Sequence, residues 1–328
     1  MSKFDLIVVT AANASQARGY KAQLKNRKNA IVVADPGDVR AGSLGATVNL
    51  LRKIPNRGKV LVCHSGGDAR RTPGYAALGK AFIPLRDGRS MFEHIVESME
   101  KLKLPRSGGV MVCSGDVLLT FDPSKTDFSA KGVTGVAYED NATQASLHGV
   151  YFEHCGTVVD FRQKPKVKRG RFLVDTGILF IDWPTARKMK DLPVEGDIYD
   201  EFPRMLLEGF APFSVNTVPG CKFFHIGSSR ELLAELGDGG VYTDAVGCKL
   251  SLAGGNIVTN VPAGRFECIA LKRNECFTCL PVGKDGWYDL KYMLDDNFKT
   301  DGLWEKHGLG EKMKIVDYRR LLKLRGGR

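Results

Sequence analysis

Between positions 64 and 82 the chain reads HSGGDARRTPGYAALGKAF, a stretch rich in residue types that suit a polyphosphate. Ser65, Gly66 and Gly67 allow a tight turn whose backbone N–H groups stand clear of any Cβ. Arg70, Arg71 and Lys80 add three positive charges to the same neighbourhood. The spacing is neither of the common phosphate fingerprints: no Gly-Lys-Ser/Thr follows a four-residue gap, and Gly-x-Gly-x-x-Gly is absent. Further on, Gly115-Asp116 ends the apolar run Val110 to Cys113. A carboxylate there can hold Mg²⁺ between protein and phosphates, or cap the next turn. Upstream, Gly42-Ser43-Leu44-Gly45-Ala46-Thr47 precedes Val48, Leu51 and Ile54, which recur every three residues. A helix starting where these glycines end aims its first N–H groups at the loop, a place for an anion or the edge of a base.

These groups need a scaffold, and hydrophobic periodicity predicts one. Phe4 to Thr10, Ala30 to Ala34, Val60 to Cys63, Gly109 to Ser114 and the run after Gly132 read as buried strands. Helical spacing covers about Gln16 to Lys25, the residues after Ala46, Ser90 to Lys103, and a stretch opened by Asp197. The alternation predicts an α/β fold with a mostly parallel, Rossmann-like sheet over residues 1–235, whose ligands lie beyond the strands' carboxyl ends. From about Tyr242 the helix signals fade. Val246, Leu252 and Val258 recur at a six-residue period, with glycines and Asn256 or Asn260 at turns. Residues 236–328 are therefore expected to form a small all-β, β-helix-like domain.

Composition narrows the class. A chain of 328 residues, 43% hydrophobic, can bury a full core. The net charge of +11 is spread along the chain apart from clusters at 164–171 and 319–328, with no aromatic-interleaved basic stripe. Anionic small substrates are expected rather than nucleic acid. No run of eighteen apolar residues occurs, and MSKFDLIVVT enters a strand without a signal-peptide pattern, so a cytoplasmic protein with no membrane partner is expected. Most of the eight cysteines lie in apolar runs and read as buried thiols of a reducing compartment. Cys276-x-x-Cys279 lacks a second ligand pair nearby, only Cys248 and Cys268 at irregular spacing, so zinc is not expected.

Gly66-Gly67, the arginines, Pro73 and Gly79-Lys80 together resemble the signature loop of the sugar-1-phosphate nucleotidyltransferases. TAANASQARGYKAQL at 10–24 and AGSLGATVNLLRKI at 41–54 narrow the resemblance to the fucose-1-phosphate guanylyltransferase family, including the pyrophosphorylase half of bifunctional fucokinases. The resemblance implies GTP and β-L-fucose 1-phosphate as substrates, GDP-L-fucose and pyrophosphate as products, and Mg²⁺ as cofactor. It gives Arg71 to the β,γ-phosphates and Lys80 to the charge that develops in transfer; Arg71 fits the family's Arg-x-Pro, while Arg70 fits the wider superfamily's Arg-x-x-Pro. Ala12, Asn13, Gly42, Ser43, Gly45, Ala46, Thr47, Ser65, Gly66 and Gly67 fall on the nucleotide, and Asp116 on the metal.

His148-Gly149 falls at the border of the family's sugar pocket. Lys164, in Gln-Lys-Pro, falls on the sugar phosphate, and Asp175, Thr176 and Gly177 where the sugar sits. Plainer readings stand beside these: Asn13 as a helix cap, His148 as a structural histidine, Lys164 as one of a solvated run with Lys166, Lys168 and Arg169. His225 replaces an aspartate that in many relatives binds a second Mg²⁺. Imidazole suits Mg²⁺ poorly, so either Asp116, phosphates and water hold the metal or His225 bonds phosphate or sugar. The alternatives are the same transfer with another nucleotide or sugar phosphate, such as arabinose 1-phosphate, and a non-catalytic subunit. The latter would have eroded Arg71, Lys80, Asp116 and Lys164, which are all present. No glycine-rich kinase loop occurs, so sugar kinase activity is not expected.

Overall fold

The computed structural model describes residues 2–65, 67 and 69–326. The chain packs as two compact units, each discontinuous in sequence: 1–13, 28–66 and 94–224 make the first, and 14–27, 67–93 and 225–328 the second.

In the first unit the apolar runs become β1 (Leu6–Ala11), β2 (Ala30–Ala34), β3 (Lys59–His64) and β4 (Gly109–Ser114), parallel and side by side in the order β2-β1-β3-β4. Val8, Val62 and Val112 are fully buried, as expected where both faces of a parallel sheet are covered. Of the first helices, α1 (Ala14–Gln23) counts with the second unit, while α2 (Gly42–Leu51) sends Leu44, Val48 and Leu51 into the core under the sheet. α3 (Met91–Glu100) precedes β4 with Ile95, Val96 and Met99 buried, the face its spacing predicts. β5 (Val117–Thr120) lies outside this sheet.

Beyond β4 the pairing changes, and here the expectation of a mostly parallel sheet needs correcting. β6 (Val133–Asn141), β7 (Gly149–His154), β8 (Thr157–Gln163), β9 (Arg171–Ile181) and β10 (Phe213–Thr217) close into a five-stranded ring in the order β9-β6-β10-β8-β7, with β7 returning to β9. Only β6 and β10 pair in parallel within it. The reason is local: Cys155 and Gly156, at φ 48° and 78°, make a two-residue turn with both residues left-handed, and so tight a link leaves β7 and β8 no option but antiparallel pairing. Tyr151 fills the ring, its centroid 4.9 Å from that of Phe161 and 5.8 Å from that of Phe213. α4 (Ala142–Ala145), α5 (Trp183–Met189) and α6 (Glu201–Leu207) complete the unit, α5 pinned by a 2.9 Å bond from Trp183 Nε1 to Gly58 O.

β11 (Lys222–His225) and α7 (Ser229–Leu236) lead into a set of short strands. β12 (Val241–Val246), β14 (Asn256–Val261) and β16 (Glu275–Val282) stack in parallel, as do β13 (Lys249–Leu252) and β15 (Cys268–Leu271), while β17 (Gly286–Met293) folds back antiparallel on β16. Val246, Leu252 and Val258, the six-residue series, share one apolar core with Ile269, Leu271 and Cys279. Buried Asn256 closes a turn, its Nδ2 donating to Lys272 O and Glu275 O at 2.8 Å each. These residues are not all β, as expected from sequence: α8 (Leu303–Lys306), α9 (Leu309–Lys314) and α10 (Tyr318–Leu324) follow. Asp317 caps α10, its carboxylate accepting the N–H groups of Arg319 and Arg320, a Ser/Asp-type start signal that the basic tail obscured.

The stretch 67–93 is built into this second unit. Gly74 O accepts Asn260 Nδ2 at 3.2 Å, and the fully buried Tyr75 hydroxyl meets Tyr242 Oη and Asp244 Oδ2 at 2.7 Å each. Arg325 completes the cluster, paired with Asp244, bonded to Asn260 Oδ1 at 3.0 Å and lying over the Tyr75 ring. Both charges are largely buried, so removing one strands the other. Arg325→Ala is expected to lower the unfolding free energy by about 3–5 kcal/mol, and the paired change Arg325→Met with Asp244→Leu by clearly less. Urea denaturation of the three proteins checks this.

Candidate functional site

In the first unit, functional groups gather where β3, β4 and β9 end or change partner. His64 closes β3, and its backbone O accepts Gly115 N–H at 2.9 Å, holding the end of β4 beside it. Asp116 follows, its Oδ1 accepting the Ser114 hydroxyl at 2.7 Å. In β9, residues between Asp175 and Leu179 outnumber the single Val136 opposite them on β6, a bulge that swings the strand. Gly177 sits in it at φ 74°, which a side chain would strain. The bulge presents Asp175, whose Oδ1 accepts Gly177 N–H at 3.0 Å and Tyr151 Oη–H at 3.1 Å.

The neighbouring ring strands bring the other groups predicted for the sugar. Gly149 pairs with Gln163, and a Cβ on Gly149 would stand 3.3 Å from Asp175 Cβ, so this glycine lets β7 approach β9 closely. Lys164 N–H donates to His148 O at 3.0 Å, and Lys164 itself has φ 49°. A lysine in the left-handed region stores strain, the kind of outlier that clusters at working sites. The His148 ring lies 4.7 Å from Phe223, which stacks on Tyr138. Thr176 turns away: its buried hydroxyl donates to Val136 O at 2.6 Å and serves the bulge.

The loop predicted for the nucleotide is used largely for packing. A Cβ on Gly45 would lie 2.5 Å from Glu195 N, too close for any side chain. Gly42 opens α2 at φ 72°, against Gly196 O. The Ser43 hydroxyl donates to Asp197 Oδ1 and accepts Ile198 N–H, and Ala46 is buried. Thr47 does reach the site: its hydroxyl is 2.9 Å from His64 Nε2, while Thr10 Oγ1 is 3.2 Å from His64 Nδ1. Ala12 is buried just beyond β1, with Asn13 half-buried beside it, and Ser65 follows His64. Gly66 lies outside the described residues.

The second unit holds the remaining candidates. Lys80 Nζ donates to Gly227 O at 3.0 Å, and Gly227 N–H donates to the Glu231 carboxylate, which lies 3.9 Å from His225 Nδ1. Gly67 O accepts Gln16 Nε2 at 2.7 Å. The two arginines separate: Arg70 lies 4.8 Å over the Trp304 ring and 3.5 Å from Glu305, whereas Arg71 is exposed with its backbone O held by Ser229 N–H. That favours Arg71 as the side chain available to an anion.

Four residues of the first unit's site escaped sequence reading: His64, Tyr151, Gln163 and Tyr199. Gln163 Nε2 donates to Tyr199 O at 3.0 Å, and the Tyr199 ring meets His64 edge-on at 6.5 Å. Gln163 Oε1 and the Tyr199 hydroxyl are buried without a hydrogen-bond partner among the described residues. The one usable signal was the Gln of Gln-Lys-Pro; Tyr199 sits in a segment that reads as an ordinary helix start.

Residues 53–199 match the Fucose pyrophosphorylase domain family. The matched span contains the Ser65–Lys80 loop, Asp116, His148, Lys164, Asp175 and Tyr199, and leaves out Thr10–Asn13, Gly42–Thr47 and His225. The chain is 25% identical over 366 residues to an L-fucokinase/L-fucose-1-P guanylyltransferase of Bacteroides fragilis, covering 84% of this chain and 38% of that protein. It is 28% identical over 243 residues to a bifunctional fucokinase/GDP-fucose pyrophosphorylase of Arabidopsis thaliana, covering 54% and 23%. With a fucose-1-phosphate guanylyltransferase of Mus musculus it shares 30% identity over 178 residues, covering 46% and 29%. The chain therefore spans less than two fifths of the length of each of these relatives.

Within residues 53–199, two groups, the buried Asp175 and the half-buried His64, titrate in opposite senses. Burial pushes the Asp175 carboxyl up to about 6 and the His64 imidazole down to about 4. Asp175 holds its proton more tightly folded than unfolded, so its contribution to stability falls as pH rises from about 4 to 6. His64 holds its proton less tightly folded, so its contribution rises from about 4 to 6.5, and the two slopes oppose. Asp175→Asn should remove the first slope alone: its stability relative to the unaltered chain is expected to climb by about 2 kcal/mol between pH 4 and pH 6. Urea midpoints across that range test it, and a flat difference would disprove the burial argument.

Proposed function

We propose that the chain is a sugar-1-phosphate nucleotidyltransferase that joins GTP and L-fucose 1-phosphate to give GDP-L-fucose and pyrophosphate. The observation that supports this reading is that Gly149, next to His148, comes up against Asp175, and Ser114, bonded to Asp116, comes up against Gly177 at the β9 bulge, inside the span that matches the Fucose pyrophosphorylase domain. An oxygen of the sugar phosphate attacks the α-phosphorus in line; the new P–O bond forms as the bond to the β-phosphate's bridging oxygen breaks, and pyrophosphate carries off that electron pair. No protein nucleophile takes part, so the protein's work is positioning and charge neutralisation.

The roles follow from type and place. Lys164 neutralises the sugar phosphate, and Asp175 accepts from a sugar hydroxyl, with Gly177 and Gly149 beside it and His148 at the border of the sugar. Arg71 binds the β,γ-phosphates, and Lys80 meets the charge that builds up in transfer. Ala12, Asn13, Thr47, Ser65, Gly66 and Gly67 face the nucleotide, and Gly42, Ser43, Gly45 and Ala46 shape the start of α2. Thr176 supports the bulge that aims Asp175. Among the described residues no group of three or more His, Cys, Asp or Glu could hold a metal. Asp116 alone, with phosphate oxygens and water, is the donor set Mg²⁺ commonly accepts. Bound there, Mg²⁺ would offset charge on the α-phosphate and the leaving group; His225, on Glu231's side, is assigned to phosphate or sugar.

We assign the chemistry to residues 1–235 and a supporting, β-solenoid-like role to 236–328. A cytoplasmic setting fits eight free cysteines and the absence, among the described residues, of any helix long and apolar enough to cross a membrane. Pyrophosphate release with Mg²⁺, the four common nucleoside triphosphates and fucose 1-phosphate tests the reading. Turnover is expected with GTP, with kcat reduced at least about 100-fold in Lys80→Ala and in Asp116→Asn. Turnover with a different sugar phosphate would keep the mechanism and replace the substrate; silence with every pair would refute the activity.

A further inference from the structure

We propose that Tyr199 is a specificity-determining residue whose phenol donates a hydrogen bond to a ring hydroxyl of the sugar 1-phosphate. The inference rests on the transferase reading above and deepens it.

Tyr199 is held firmly in place. Its N–H donates to Asp197 Oδ1 at 2.7 Å, its O accepts Gln163 Nε2 at 3.0 Å, and its ring stands edge-on to His64. The ring lies over the one residue of the bulge without a side chain: a Cβ on Gly177 would be 3.7 Å from Tyr199 Cε1. Yet the hydroxyl at the end of this fixed ring is buried with no partner among the described residues. Native proteins rarely leave such a group unmatched, and an exception calls for a ligand or a functional reason. At neutral pH a phenol keeps its proton, so the group on offer is a donor.

The surroundings select the ligand class. Gln163 Oε1 is also buried and unpartnered, and the donation from Nε2 to Tyr199 O fixes which end of the amide carries the oxygen. Asp175 adds a second acceptor beside Gly177. One donor with two acceptors suits a polyhydroxylated ring, whose hydroxyls both give and accept. Gln163 immediately precedes Lys164, and Asp175 and Gly177 flank Thr176, so the groups around the Tyr199 ring lie on the segments assigned to the sugar phosphate rather than on those assigned to the nucleotide.

Tyr199→Phe in the full chain removes only the oxygen. Because the lost hydroxyl has no partner in the free protein, the urea midpoint should stay the same or rise. KM for fucose 1-phosphate is expected to rise about tenfold, with KM for GTP unchanged. In a series of mono-deoxy fucose 1-phosphates, the one lacking the contacted hydroxyl should be used equally by both proteins. Unchanged KM for the sugar phosphate, a rise confined to GTP, or a loss that tracks falling stability would each overturn the assignment of Tyr199 while leaving the transferase reading intact. Failure of the unaltered chain to turn over any sugar phosphate would overturn that reading and this proposal together.

Discussion

β9 has to belong to two structures at once. Its carboxyl end, Leu179 to Ile181, pairs antiparallel with β4 at the edge of the parallel strands, while its amino end pairs with β7 and helps close the ring. β6 accompanies it along both parts and supplies one residue, Val136, where β9 has more. The mismatch must be absorbed, and Asp175, Thr176 and Gly177 absorb it. Thr176 stops the gap by donating to Val136 O and accepting Ile178 N–H, and Gly177 adopts the left-handed turn. The bulge formed by Asp175, Thr176 and Gly177 thus stands where the sheet changes partner.

Holding polar groups in that position has an electrostatic cost, met by neighbours that are themselves neutral. Asp175 is bonded by the phenol of Tyr151, which fills the ring below, and by a backbone N–H rather than by a cation. His64 lies between the hydroxyls of Thr10 and Thr47, which tie β1 and α2 to the end of β3. Neutral partners fix geometry without spending the local positive charge.

Much of this was legible in the sequence, because the signals were local. The runs Leu6–Val9, Val60–Cys63 and Val110–Cys113 became strands, and the Gly-Asp after the last of them put Asp116 at a strand end. The ring was not legible, because its decisive link, Cys155-Gly156, lacks the Asn or Asp that usually marks a two-residue turn. For the glycines at 42 and 45 the sequence shows only that close approach is permitted, and the coordinates show that residues 194–196 of the protein itself come close there. Arg70 and Arg71 could not be told apart by spacing, since what separates them is Trp304, more than two hundred positions away. Tyr199 was hidden for the opposite reason: its importance lies in a bond it does not make.

The long separation between Arg70 and Trp304 is one instance of how the cationic loop is supported. Arg71 and Lys80 carry like charges on a short stretch, and these repel one another. Between them, Gly74 and Tyr75 are fixed to β12, β14 and α10 by Asn260, Tyr242, Asp244 and Arg325. The anchor is largely buried, two tyrosines around one ion pair, so it holds the backbone between the two charges against that repulsion. Holding the backbone between two charges fixes where those charges stand before any partner approaches, which is what preorganisation means in electrostatic terms. The strands of the second unit therefore help to set the loop's electrostatics.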